Sequence, residues 1–198
     1  PVVIYTSFLR SNGGQVFTGG FALQSYEATL FAKDNDAVWN TYLLGALSIA
    51  LVVVIGVLVA YLSVRKRNVV NSALDTVTMF PFIIPGSVLG ISFLFAFNSP
   101  PILISGTMLI MIIAFSVRRM PYTVRSSAAA LGQISPSIEE AAISLGASEM
   151  TTFTRVTVPM MLPGVCAGAI MSWVTIISEL SSSIILYTNA TQTLTVSI

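Results

Sequence analysis

The chain has 198 residues, of which 55% are hydrophobic and 9% charged, with a net charge of +1 and a mean hydropathy of +0.87. Soluble domains carry about 25% charged residues, so an ordinary cytosolic enzyme and a disordered tail are excluded. Nine Lys and Arg against eight Asp and Glu leave no basic stripe for nucleic acid, and the composition is that of a membrane protein.

The opening nine residues, PVVIYTSFL, are mainly apolar but far short of the roughly 20 that a helix needs to cross a bilayer. They read as the trailing end of a truncated span, without the basic region or cleavage site of a signal peptide. From Ser11 to Ala37, Gly-Gly pairs at 13–14 and 19–20 precede LQSYEATLFAK, which reads as a connecting segment with a short interfacial helix. The first full span is Thr41–Val64, which carries no charge. The second is Asp75–Phe97, and Pro81 and Pro85 inside it predict a break or kink. The third, Ile102–Val117, is short unless its flanks join it.

Residues 118–161 then form a loop with strong helix punctuation. Ser135 is a candidate N-cap before Pro136 at the first helical position, and Ser137-Ile138-Glu139-Glu140 offers a capping box. Ala141, Ala142, Ile143, Leu145 and Ala147 give an apolar face, and Gly146 falls where a left-handed cap favours glycine. Ser148 can cap a second short helix towards Val156, which Pro159 is expected to stop. The last span, Leu162–Tyr187, contains Glu179. Gly164, Gly168 and Ser172 recur along it every four residues, a stripe for close helix packing.

Orientation follows from Lys and Arg. With residues 10–40 outside, Arg65, Lys66, Arg67, Arg118, Arg119, Arg125 and Arg155 are all cytoplasmic, against Arg10 and Lys33 outside. Trp39 and Tyr42 then stand at the outer edge of the first full span and Tyr61 near its inner edge.

The inventory narrows the chemistry. There is no His, and Cys166 is the single Cys, so the usual zinc and iron–sulfur sites and a His-based triad are excluded. The two lysines, Lys33 and Lys66, follow no glycine-rich loop, so a P-loop nucleotide site must lie on another polypeptide. The eight Met are expected to fill the core. A charge in mid-span costs about 2.5–3.5 kcal/mol and usually faces a cavity or a partner. Glu179, beside Ser181, Ser182 and Ser183, is thus either a pathway-facing carboxylate or a hydrogen-bonded group holding helices together.

Glu140-Ala141-Ala142, three residues, Gly146, nine residues and Val156-Thr157-Val158-Pro159 together resemble the EAA loop of binding-protein-dependent ABC importer permeases. Val replaces Ile and Leu of that pattern and the spacing is intact. Arg118–Ser127, Gln133–Glu140, Glu179–Ser183, Leu186-Tyr187 and Thr191–Leu194 are similar to ferric-iron permeases of that kind, which carry two homologous halves on one polypeptide, and here to their second half. The resemblance implies an all-α fold: a polytopic transmembrane helical bundle of the type I (MetI-like) importer permease kind. Residues 1–198 would form one permease domain, an excerpt lacking most of one span at the start and a final span at the end.

The same resemblance implies a multi-pass permease of the bacterial inner membrane with no cofactor of its own, ATP and Mg being bound by a partner ATPase. Glu139, Glu140, Ala141, Ala142, Gly146, Val156 and Pro159 would engage that ATPase, a pair of cytoplasmic subunits. Glu179, Ser181, Ser182 and Ser183 would line the path. The remaining partners are an external binding protein that delivers ferric iron, the other permease half and the lipid bilayer, with no nucleic acid. Related permeases carry phosphonates, thiamine or polyamines. A channel or secondary transporter fits the spans but needs no such loop, and a membrane scaffold would leave Glu140 and Glu179 without a role.

Overall fold

The computed structural model describes residues 2–12, 15–23, 26–27 and 36–197. Helix α1 (Val2–Ser7) stops after six residues and leads into an antiparallel pair, β1 (Leu9–Asn12) and β2 (Gln15–Phe21). The described start of the chain is thus a short helix followed by a hairpin. The expected interfacial helix and Lys33 fall largely outside the described residues.

Helix α2 (Ala37–Arg65) is the long apolar helix foreseen at 41–64, extended at both ends. Asn68 then caps α3 (Val69–Val77) by accepting from the Asn71 N–H at 2.7 Å. Next come α4 (Phe80–Ile83) and α5 (Gly86–Ala96), with Pro81 in the first turn of α4 and Pro85 before α5. Proline supplies no N–H and disfavours helical geometry in the residue before it. The two prolines break the span as foreseen, and its halves meet at 111°.

The third expected span is displaced. Ile102–Leu103 (β4) pairs with Asn98–Ser99 (β3), and helix α6 begins only at Met108 and runs to Gly132. It continues fifteen residues beyond Val117, through Arg118, Arg119 and Pro121. Helix α7 (Pro136–Ser144) follows, and α8 spans Glu149–Ile177. Pro159 does not stop α8. Residues Phe153–Thr157 form a π-turn, with the Val158 N–H bonded to the Phe153 carbonyl, and this wider turn absorbs the N–H that Pro159 cannot supply. At its other end α8 stops at Ile177, short of Tyr187, and gives way to α9 (Ser183–Leu186), a 3₁₀ turn (Asn189–Thr191) and α10 (Leu194–Ser197).

Among the described residues two helices, α2 and α8, are long and apolar enough to cross a membrane, and the bent α3–α5 makes a third if taken as one span. Helix α6 runs beside α2 in the same direction: the Ser116 hydroxyl bonds the Ser48 carbonyl, and Arg65 reaches the Ile134 carbonyl. Helix α8 returns antiparallel to α6 and also packs on α2, where a Cβ on Gly45 would fall 3.1 Å from the Trp173 ring. A Cβ on Gly164 would lie 2.4 Å from the Ala130 Cβ, and one on Gly168 2.8 Å from the Thr123 Cα. Ser172, next on that stripe, meets the Thr123 hydroxyl at 3.2 Å. The small residues are what allow this approach.

Two apolar clusters fill the bundle. One gathers Leu44, Ile110, Met111, Phe115 and Ile176; the other, towards the Arg65 end, gathers Val57, Leu131, Ile134, Met161 and Val165. The end of the chain straps back onto α2, where the Asn40 amide donates to the Ala190 and Gln192 carbonyls.

Candidate functional site: a helix–turn–helix surface and a buried charge cluster

Helix α7 starts at Pro136, but Ser135 makes no side-chain cap: its hydroxyl meets that of Ser137 at 2.8 Å. The helix closes as a Schellman motif. The Gly146 N–H donates to the Ile143 carbonyl and the Ala147 N–H to the Ala142 carbonyl, at 2.9 and 3.1 Å. This needs the φ of +94° that Gly146 adopts, where a Cβ would be strained although nothing lies within 4 Å of it. Ser148 caps the next turn by accepting from the Thr151 N–H. A nine-residue helix is thereby locked to the start of α8.

The face of α7 is inverted relative to an ordinary amphipathic helix. Glu139 is turned inward, where it accepts from Arg65 Nε at 3.0 Å and from the Thr157 hydroxyl at 3.1 Å. That bond ties α7 to the end of α2 and to the π-turn of α8. Glu140 and Ala141 face out, as do Ile143, Leu145 (90% exposed) and Met150 (69% exposed). Ala142 and Val156 are half-buried, and Pro159 is exposed. A cavity of about 230 Å³ between Tyr61, Arg65, Pro136, Glu140 and Ile143 opens beside this surface. At its edge Lys66 pairs with Glu149 at 2.7 Å, and that hydrogen bond holds the ammonium pKa above its ordinary value. Apolar groups outside and a paired carboxylate inside describe a surface suited to contact another protein.

The second group lies halfway along the bundle. Arg118 and Arg119, counted as cytoplasmic by charge alone, sit in mid-helix on α6, about one turn past the Ser116–Ser48 contact near the middle of α2. Glu179 is 4% exposed and lies just past the end of α8, not within a helix. Its Oε2 accepts from Arg118 Nε at 3.0 Å and from Arg119 Nη2, and its Oε1 accepts from the Ser182 N–H and hydroxyl at 3.2 Å each. Its carbonyl takes the Ser183 and Thr195 hydroxyls. Ser182 and Ser183 are buried and Ser181 is exposed. Both carboxylate oxygens are thus hydrogen-bonded, with two guanidinium charges against one carboxylate. Arg118 Nη1 also donates to the Ile84 carbonyl at 3.3 Å, a group freed by the break between α4 and α5. Gly86 makes room for it, since a Cβ there would fall 2.7 Å from that nitrogen.

The sequence groups Glu139 with Glu140 as residues expected to engage the ATPase, and gives no sign of Arg65, Arg118 and Arg119 as partners. The available signal was the i, i+3 pairing of Glu139 with Ala142 on the inward stripe. The partner arginines lie 60 or more positions away in sequence, beyond the reach of any local pattern.

Residues 17–198 match the model of the binding-protein-dependent transport system inner membrane component family, and the chain belongs to that family. Two proteins named as ferric transport system permeases, FbpB 1 of Haemophilus influenzae and FbpB of Actinobacillus pleuropneumoniae, are each 32% identical to it. They cover 90% and 92% of this chain, which spans only 30% and 28% of their lengths. A protein of Salmonella paratyphi A named for 2-aminoethylphosphonate transport, the permease PhnV, is 28% identical over 99% of this chain and 74% of its own. Among solved structures, a chain of a bacterial alginate ABC transporter, bound to its periplasmic protein with alginate pentasaccharide, has the same fold. Its TM-score is 0.68 at 18% identity, over 90% of this chain and 69% of that one.

Proposed function

We propose that the chain is a transmembrane permease part of an ABC importer of the bacterial inner membrane, and that the cargo is ferric iron. The observation that supports the class is the outward apolar surface of α7 and the start of α8, carried on a chain of the inner membrane component family. In this reading Glu140, Ala141, Gly146 and Leu145 meet a cytoplasmic ATPase, which binds ATP and Mg and hydrolyses the nucleotide. Ala142, Val156 and Pro159 shape the inner side of that contact. An external binding protein delivers the cargo, and the other permease half completes the path. Iron is favoured by the greater identity to the ferric permeases.

The test is uptake of radiolabelled ferric iron by cells carrying the intact system, beside Glu140→Ala at matched membrane levels. ATP-dependent uptake that the variant loses supports importer and cargo together. Absence of iron uptake removes the cargo and leaves the importer, and entry without ATP refutes the importer. A second cargo, a phosphonate, is kept because this chain covers 74% of the phosphonate relative's length, against 30% and 28% of the ferric permeases.

A further inference from the structure

We infer that Arg118 is a positioning residue that hands movement of α8 to the broken α4–α5 segment through Glu179. The inference rests on the importer reading above and names how one part of it would work.

The argument starts at the Arg65 end. Glu139 joins α7 to Thr157, and Thr157 stands in the π-turn of α8, so a pull on α7 acts directly on α8. Beyond that turn α8 is helical without a break from Val158 to Ile177. A continuous helix transmits displacement along its axis, and Glu179 is the charged group nearest its far end. The Glu179 N–H bonds the Ile176 carbonyl at 3.0 Å, and its carboxylate is oriented by the Ser182 N–H and hydroxyl, so it follows the end of the helix.

On the other side Arg118 makes two bonds in different directions. Nε holds Glu179 at 3.0 Å, and Nη1 holds the Ile84 carbonyl at 3.3 Å. A planar guanidinium joins its donors rigidly, which a lysine ammonium on a flexible stem does not. Arg119 shares Glu179 but turns its remaining bond to the Thr175 carbonyl of α8 itself, so it adds no link to the break. The break can hinge without losing a helical bond, since its two halves meet at 111° and Pro85 supplies no N–H across it. Gly86, buried against the guanidinium, keeps the Arg118 contact close.

The test uses the assembled importer, with its ATPase and binding protein, in proteoliposomes. Cys166, exposed in this chain, is first replaced by serine, and Ser87, exposed one residue past Gly86, is replaced by cysteine. Alkylation of that cysteine is followed with and without ATP. The expected result is a rate that changes on adding ATP in the parent, and a change that is lost in Arg118→Lys and in Glu179→Gln. Basal ATP hydrolysis and assembly persist in both variants, which a collapse of the fold would not allow. The double variant should behave as either single one, because the two side chains act through one contact. A parent with no ATP-dependent change overturns the inference, and so does Arg118→Lys retaining the parent's response. Ferric iron uptake is measured on the same vesicles. Failure there removes the cargo assignment, while the labelling result still decides the role of Arg118.

Discussion

Glu139 and Glu140 are neighbours of identical chemistry, and their substitution should separate stability from transport. Glu139 and Arg65 are each nearly nine-tenths buried at the side chain, and the carboxylate also accepts the Thr157 hydroxyl. Removing one member of a buried, hydrogen-bonded ion pair costs roughly 3–5 kcal/mol, because the other charge stays desolvated. For a domain of this size each kcal/mol lowers Tm by roughly 2–4 °C, so Glu139→Ala should melt roughly 6–20 °C early. Replacing Arg65 and Glu139 together by apolar residues should recover part of that loss. Glu140 is exposed and its carboxylate bonds none of the described residues, so Glu140→Ala should stay within about 0.5 kcal/mol of the parent. Its effect should fall on uptake instead, with ATP hydrolysis persisting. Thermal unfolding of the purified protein in detergent, beside the uptake assay, reads both. Equal shifts in Tm for the two variants would falsify the inward assignment of Glu139.

The Schellman glycine gives a second expectation: Gly146→Ala should cost about 1–2 kcal/mol through its left-handed φ alone, as the site has free space, with Gly146→Asn milder. On α8, Gly168→Val should lower stability by about 1–3 kcal/mol and loosen the α6 contact, read by disulfide trapping between the two helices. Lys66→Gln should leave the melting transition in place, since the Lys66–Glu149 pair is solvent-exposed. Glu179→Gln keeps the shape of the cluster but leaves Arg118 and Arg119 without a counter-charge, and should reduce thermal stability more than Ser181→Ala, whose side chain is exposed.

Much of the architecture was legible because single residues carry it. Pro81 and Pro85 break their span, Gly146 ends α7, Ser148 starts the next helix, and Gly164, Gly168 and Ser172 seat α8 against α6. Each effect is local: a missing N–H, a permitted φ, a hydroxyl within one turn, a missing side chain. The helix ends were less legible. The sequence reading ends the third span at Val117, with Arg118 and Arg119 counted among the cytoplasmic charges, and carries the last span through Glu179 to Tyr187. Neither end takes account of a partner for these charges. Paired across 60 and 61 positions, Arg118 and Arg119 share the Glu179 carboxylate, which offsets part of their burial cost, so α6 can run on to Gly132 and α8 can end at Ile177. Pro159 misled too, since a π-turn accommodates a proline that an α-turn rejects.

The pairing also changes what Glu179 can offer a cargo. A carboxylate free in a pathway would attract a cation, but this one shares its site with two guanidinium groups, and the sum is positive. Among the described residues no three His, Cys, Asp or Glu side chains converge on a point where a metal ion would be held. If ferric iron crosses through this chain, this cluster presents it with a net positive charge, and the described residues offer no converging ligand set. Passage then depends on weak contacts and on the charge the iron carries with its own ligands. Discrimination between iron and a phosphonate is accordingly expected to follow the binding protein: exchanging that protein should change which cargo is taken up, whereas substituting Ser181 should leave the preference between the two unchanged.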